Sequence, residues 1–112
     1  MNIIEKNIYS YIEPLLQICD SHKIQKLYFF GSVCTANFKA SSDIDVFVEM
    51  EKIPPIEYGE LLLKLWNSLE ELFNRKVDLI TSDQKIENPV LFRNIEQTKQ
   101  LFYDRTNQQI PA

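Results

Sequence analysis

The sequence predicts a small α+β protein in which short strands form a sheet and amphipathic helices pack on it. A run of apolar and aromatic residues at 26–30 ends at Gly31-Ser32, the pattern of a buried strand that ends in a turn. Residues 43–50 alternate between two faces, so they predict a second strand. Apolar residues recur every three or four positions from Tyr58 to Phe73, which predicts an amphipathic helix packed on the sheet.

The remaining elements follow from periodicity and from the positions of proline. Isoleucines at helical spacing predict a helix within 3–12, and Pro14 breaks or kinks this helical region, which continues to 22. Residues 100–103 fit either an edge strand or an extension of the preceding helix. The other predicted elements are a short helix from Ser32 to about Ala36, the start of the long helix at about Ile56, a strand at 76–80, a helix at 90–98 and a loose tail from Arg105.

Length and charge restrict the class of protein. The 112 residues predict one domain, 1–112, with a core at about 14–104. A net charge of −4 opposes general nucleic-acid binding, which needs clustered Lys and Arg. There is no apolar run of about 18 to 20 residues and no signal-peptide pattern, so we expect no membrane association. Cys19 and Cys34 lack metal-ligand spacing, and we expect them to be free thiols in the cytoplasm.

Two aspartates in the alternating strand point to phosphoryl transfer. Asp43 and Asp45 lie on one face, roughly 6.5 Å apart along the backbone, where their oxygens can share hard cations. Ten residues separate Asp43 from Gly31-Ser32, a turn whose backbone N–H groups can receive phosphate. In the later strand Asp78 faces the same way. A phosphate turn beside metal-binding carboxylates is the arrangement that phosphoryl transfer needs.

The pattern Gly-Ser-x10-Asp-x-Asp resembles the signature of the DNA polymerase β-type nucleotidyltransferase superfamily. The small size is similar to that of its minimal nucleotidyltransferase (MNT) branch, which includes MntA-like antitoxins. The resemblance spans about 14–104 and implies a small mixed sheet with helices packed on one face. It also implies a third carboxylate on a later strand, for which Asp78 is the candidate.

The resemblance assigns a role to each candidate residue. Asp43 and Asp45 would hold two Mg²⁺ ions on ATP, and Asp78 would bind the metal nearest the attacking hydroxyl and accept its proton. Gly31 and Ser32 would grip the terminal phosphates, and Ser42 is a further candidate for nucleotide binding. The family often has Ala-Arg-Gly where this chain has Cys34-Thr35-Ala36, so one plausible phosphate contact is missing.

The acceptor is left open between three classes. The MNT resemblance implies AMP transfer to a tyrosine of a HEPN toxin, with this chain as the antitoxin. A non-catalytic antitoxin that blocks its partner by contact is the second. The Cys34-Thr35-Ala36 departure keeps it open, whereas the presence of all three aspartates opposes it. The third is transfer to a small molecule such as an aminoglycoside, in a pocket completed by a homo-oligomer.

Three other residues have ordinary structural explanations. At a helix end, His22 is expected to contact terminal carbonyls rather than to act in catalysis. A small buried residue is the expected role of Cys34, against the alternative of a reactive thiol. Glu49 shares the aspartate face but lies too far along the strand to be part of the metal site.

Overall fold

A computed structural model describes residues 3–84 and 86–106. Within these residues one sheet of four strands has the order β3-β2-β1-β4. Strand β1 is antiparallel to β2 and to β4, whereas β2 and β3 are parallel. The strands are β1 (Ile24–Phe30), β2 (Ile44–Met50), β3 (Val77–Thr81) and β4 (Gln100–Asp104). The helices are α1 (Ile3–Asn7), α2 (Ile12–Ser21), α3 (Pro55–Phe73) and α4 (Pro89–Thr98). The sheet is mixed and the class is α+β, as predicted.

The predicted elements are found at nearly the predicted places. Residues 100–103, which the sequence left open, belong to β4 at the edge of the sheet. The N-terminal helical region is broken at Tyr9–Tyr11, a single 3-10 turn, and Pro14 lies in the first turn of α2. The predicted loose tail starts too early, because Arg105 donates its backbone N–H to the Gln25 carbonyl at 2.9 Å and its Nε to the Ile24 carbonyl at 2.8 Å. From residue 107 the predicted tail lies outside the described residues.

The core lies between one face of the sheet and the first three helices. Alternation in β2 buries Ile44, Val46 and Val48, and α3 buries Leu65 and Leu69 against the same cluster. Burial of each such side chain contributes about 1.5–3 kcal/mol relative to an exposed one. The other face of the sheet therefore carries the intervening residues of β2, including the candidate aspartate.

Helix α4 lies beside that other face. Its buried Ile95 and its Asn94 share clefts with Phe47 and Asp45, respectively, both on the aspartate side of β2. Asn88 caps the helix by accepting hydrogen bonds from the first backbone N–H groups. None of the described helices is long and apolar enough to span a membrane.

The segment after β1 differs from its prediction. A 3-10 turn, Gly31–Cys34, stands where a short helix from Ser32 to about Ala36 was predicted. Thr35 ends it, because both its backbone N–H and its hydroxyl donate to the Ser32 carbonyl at 3.0 and 2.8 Å. Thr35 itself has extended backbone angles, which no helix continues. This turn is too short to offer the dipole of a true helix to a phosphate.

Candidate active site

Two carboxylates meet at the centre of the aspartate face. Asp45 on β2 and Asp78 on β3 are register partners in the parallel pair, and neighbouring strands lie about 4.8 Å apart. Their neighbours along each strand, such as Val46 and Val77, are buried on the opposite face. Strand alternation thus fixes both carboxylates on one side, as the sequence predicted.

Burial and neighbouring negative charge change the acidity of Asp45. Burial raises the pKa of Asp45 to about 6, and the negative charge of Asp78, a hydrogen bond with it and the charge of Asp43 act in the same direction. Lys76 opposes the shift, with its ammonium 3.7 Å from the Asp78 carboxylate. A divalent cation between these carboxylates would relieve the repulsion far more effectively than an exposed lysine.

Asp43, the third carboxylate, lies just before β2 and is exposed. Its charge still acts on Asp45. Among the described residues, no three Asp, Glu, His or Cys side chains are grouped so as to hold a metal ion. Mg²⁺ rarely uses an all-protein cage, and binds through one or two carboxylates together with substrate phosphates. The oxygen donors present fit such an ion, brought to the site with a nucleotide.

The backbone of Gly31 packs directly against the Asp45 carboxylate. Its φ of +74° is a left-handed conformation that favours glycine, and a Cβ here would collide with the Asp45 carboxylate. The Gly31 N–H donates to Thr98 Oγ1 at 3.0 Å, and this hydroxyl donates to the Asn94 carbonyl at 2.6 Å. The expected phosphate grip by this N–H is therefore not what the structure contains, because α4 already binds it. Ser32, next in the chain, is partly exposed.

Ser42 has a structural role in the loop before β2. Its hydroxyl accepts a hydrogen bond from the Lys39 N–H at 3.0 Å, and its own N–H donates to the Lys39 carbonyl at 3.0 Å. The Ser42 carbonyl accepts from Arg75 at 2.9 Å. The hydroxyl proton is the one group of Ser42 that these contacts leave for a ligand.

A cleft of about 440 Å³ opens beside the carboxylate pair, and sequence reasoning missed most of its walls. Trp66 borders it from α3, with its indole N–H bound to the Val77 carbonyl at 2.7 Å. Leu91 and Asn94 border it from α4. The position of Trp66 beside the apolar stripe was a usable signal. The α4 residues had none, because their place depends on which face α4 covers.

Two residues behave as the sequence predicted. Cys34 is buried, and burial together with the charge of Asp45 raises the pKa of its thiol to about 11, so it is not a reactive thiolate. His22 Nδ1 lies 2.9 Å from the Ile18 carbonyl at the end of α2.

Comparison with known proteins decides the family. The family model described as "Polymerase beta, Nucleotidyltransferase" matches residues 13–108, which is most of the chain. This chain is a polymerase β-type nucleotidyltransferase. Two relatives of this nucleotidyltransferase in Methanocaldococcus jannaschii are provisionally named protein adenylyltransferases. One is 35% identical over 70% of this chain and 76% of its own length, and the other is 34% identical over 60% and 74%.

Solved structures share the fold of this nucleotidyltransferase. A chain of a toxin–antitoxin complex with AMP-PNP superposes with a TM-score of 0.60 at 21% identity, covering 87% of this chain and 77% of that one. A minimal nucleotidyltransferase gives 0.59 at 23% identity, covering 89% and 95%. A chain from the complex of a tri-AMPylated Shewanella oneidensis HEPN toxin with an MNT antitoxin gives 0.54 at 20% identity, covering 88% and 74%.

Proposed function

We propose that this nucleotidyltransferase transfers AMP from ATP to a tyrosine of a HEPN toxin and so acts as its antitoxin. The observation that carries the proposal is the in-register pair of Asp45 and Asp78 beside Gly31, whose repulsion calls for a divalent cation. The protein adenylyltransferase names of the relatives and the toxin–antitoxin complexes among the structural neighbours support the choice of acceptor. Free, buried Cys19 and Cys34 support a reducing, cytoplasmic location.

Asp43, Asp45 and Asp78 divide the catalytic work in this proposal. Asp43 and Asp45 would hold two Mg²⁺ ions, with Asp78 as a further carboxylate ligand. When bound, these ions stabilise the attacking and leaving oxygens of an in-line displacement. Asp78 accepts the proton of the tyrosine hydroxyl as that oxygen attacks the α-phosphorus, and pyrophosphate leaves.

The turn after β1 binds the triphosphate. Ser32 is partly exposed and follows Gly31, which lies against the Asp45 carboxylate. Its hydroxyl donates to a terminal phosphate oxygen. Gly31 contributes by letting the chain pass close to the metal ligands, since its N–H is engaged by Thr98. Ser42 donates its remaining hydroxyl proton to the nucleotide. Positioning and charge supply most of the rate enhancement.

Mass spectrometry of the partner tests this function. After incubation with this chain, Mg²⁺ and ATP, its cognate HEPN partner is expected to gain the mass of one or more AMP units on a tyrosine. The Asp43→Asn, Asp45→Asn double variant should abolish the gain. The matched control is Glu49→Gln, which makes the same carboxylate-to-amide change further along β2 and should retain it.

A stable complex with an unmodified partner, still neutralised by the double variant, would instead assign the chain to contact-only antitoxins. Modification of an added aminoglycoside but not of the partner would assign it to small-molecule transferases. Either result would reject protein adenylylation.

A further inference from the structure

The connecting loop, residues 32–43, joins the phosphate turn to the first aspartate with little regular structure of its own. Side chains from elsewhere hold it. Asn7, at the end of α1, donates through Nδ2 to the carbonyls of Val33 at 2.8 Å and Thr35 at 3.1 Å. These bonds secure the half of the loop next to β1. The half that leads to Asp43 needs another support.

Arg75 supplies that support. Its Nη1 donates to the carbonyls of Lys39 and Ser42, each at 2.9 Å. The guanidinium carbon also lies 4.7 Å from the centre of the Phe38 ring, which packs against the core. A planar guanidinium can stack and donate at the same time, whereas an ammonium has no plane to stack.

The peptides on both sides of Asp43 are tied to the same short segment. On one side the Ser42 carbonyl accepts from the Arg75 side chain, and on the other the Ile44 N–H donates to the Lys76 carbonyl at 3.1 Å. This segment runs directly into β3 and Asp78. The backbone of Asp43 is thereby fixed relative to β3, although its side chain is exposed.

We propose that Arg75 is a positioning residue which holds Asp43 at the correct separation from Asp45 and Asp78, and so sets the affinity for divalent cations. The inference rests on the proposed metal role of the aspartates. Removing a residue that orients metal ligands typically weakens metal binding by about 10- to 100-fold. The exposed Asp43 depends on such support more than Asp45, which its own strand already holds.

Direct metal binding by the isolated chain tests this role without any catalytic assay. Mn²⁺, whose free form is counted by electron paramagnetic resonance, is titrated into wild type, Arg75→Lys and Arg93→Lys with AMP-PNP present. Arg75→Lys is expected to raise the Mn²⁺ dissociation constant about tenfold. Arg93→Lys makes the same change at an exposed position of α4 and should bind as wild type. Measurement well below the melting temperature of every variant keeps folding out of the comparison.

Asn7→Ala separates positioning from general loosening of the loop. It removes the support of the loop half next to β1, at the Val33 and Thr35 carbonyls. Its Mn²⁺ affinity should therefore stay within about twofold of wild type, well below the effect expected for a lost ligand-orienting residue. Wild-type affinity in Arg75→Lys, or an equal loss in Asn7→Ala, would overturn the assignment of Arg75 alone. If wild type itself fails to bind Mn²⁺, the proposed metal site fails and this inference fails with it.

Discussion

At the scale of single residues, Asp45 is a destabilising group in the metal-free protein. Its pKa is raised from its ordinary value of 3.8 to about 6 by burial, Asp78 and Asp43. Between these two values the folded protein keeps a proton that the unfolded chain has lost, so stability falls as pH rises through the window. Above about pH 6 the full cost remains. A cation bound between the carboxylates, as proposed above, would offset this cost.

Asp45→Asn should therefore stabilise the metal-free protein at neutral pH. We expect a gain of about 1–2 kcal/mol at pH 7.5, reduced by water screening in the open cleft, and almost no gain near pH 4. Urea unfolding in EDTA at the two pH values measures it, with Glu49→Gln as the control. A loss of stability at pH 7.5 would show that the repulsion is not significant.

Side-chain alternation and the spacing of short motifs were enough to predict the carboxylates of the site. Asp45 and Asp78 could be placed on one face from the two-residue period alone. Arg75 and Thr98 could not, because each acts through a hydrogen bond to a backbone group far away in sequence. From the sequence, Asn74 and Arg75 are predicted only to connect α3 to β3. Only the left-handed Asn74 and the completed sheet aim the guanidinium at the connecting loop.

At the scale of elements, α3 contains a glycine, Gly59, that destabilises the helix without a packing reason. Its apolar stripe faces the core as predicted, with Leu65, Leu69 and Phe73 buried. Gly59 is exposed near the start of the helix, and a Cβ there would meet nothing within 4 Å. The glycine is thus not required by packing. It makes the first turns of α3 less stable than they would be with alanine at this position.

Gly59→Ala should stabilise the protein by about 0.5–1 kcal/mol, because alanine loses less backbone entropy in a helix interior. Chemical denaturation measures the gain, and Gly31→Ala is the contrasting variant, since its left-handed φ and the Asp45 carboxylate forbid a Cβ. That second change should destabilise by 1 kcal/mol or more, on the order of the strain cost of such a conformation. Equal effects at both glycines would contradict the distinction.

The short helix predicted after β1 does not form, because local hydrogen bonds compete with it. Propensity over five residues is a weak signal, and a hydroxyl that bonds a nearby carbonyl offsets it easily. Thr35 does this to Ser32, and Asn7 binds the carbonyls that a longer helix would have used. The strands and the long helix were predictable because burial of many side chains enforces them.

At the scale of the whole molecule, the sheet order brings the phosphate turn and all three aspartates to one region. Strand β1 delivers Gly31 and Ser32, while its neighbour β2 and then β3 deliver Asp45 and Asp78. The charges of Asp43 and Asp78 both act on Asp45, and the chain as a whole carries a net charge of −4. We therefore expect a nucleoside triphosphate alone to be repelled, and a cation alone to lack the phosphate oxygens that would complete its coordination.

Mg²⁺ and ATP should consequently stabilise the protein together by more than the sum of their separate effects. At a complex concentration about 100 times the dissociation constant, the gain is about 2.7 kcal/mol, or roughly 10 °C in melting temperature for a domain of this size. Thermal melts with Mg²⁺, ATP, both and neither measure the excess directly. Asp45→Asn should lose it and Glu49→Gln should keep it, because Phe47 separates Glu49 from the carboxylate pair along β2. If no Mg²⁺–nucleoside triphosphate shifts the melt of the wild type, the carboxylates do not form a nucleotide site, whatever their resemblance to one.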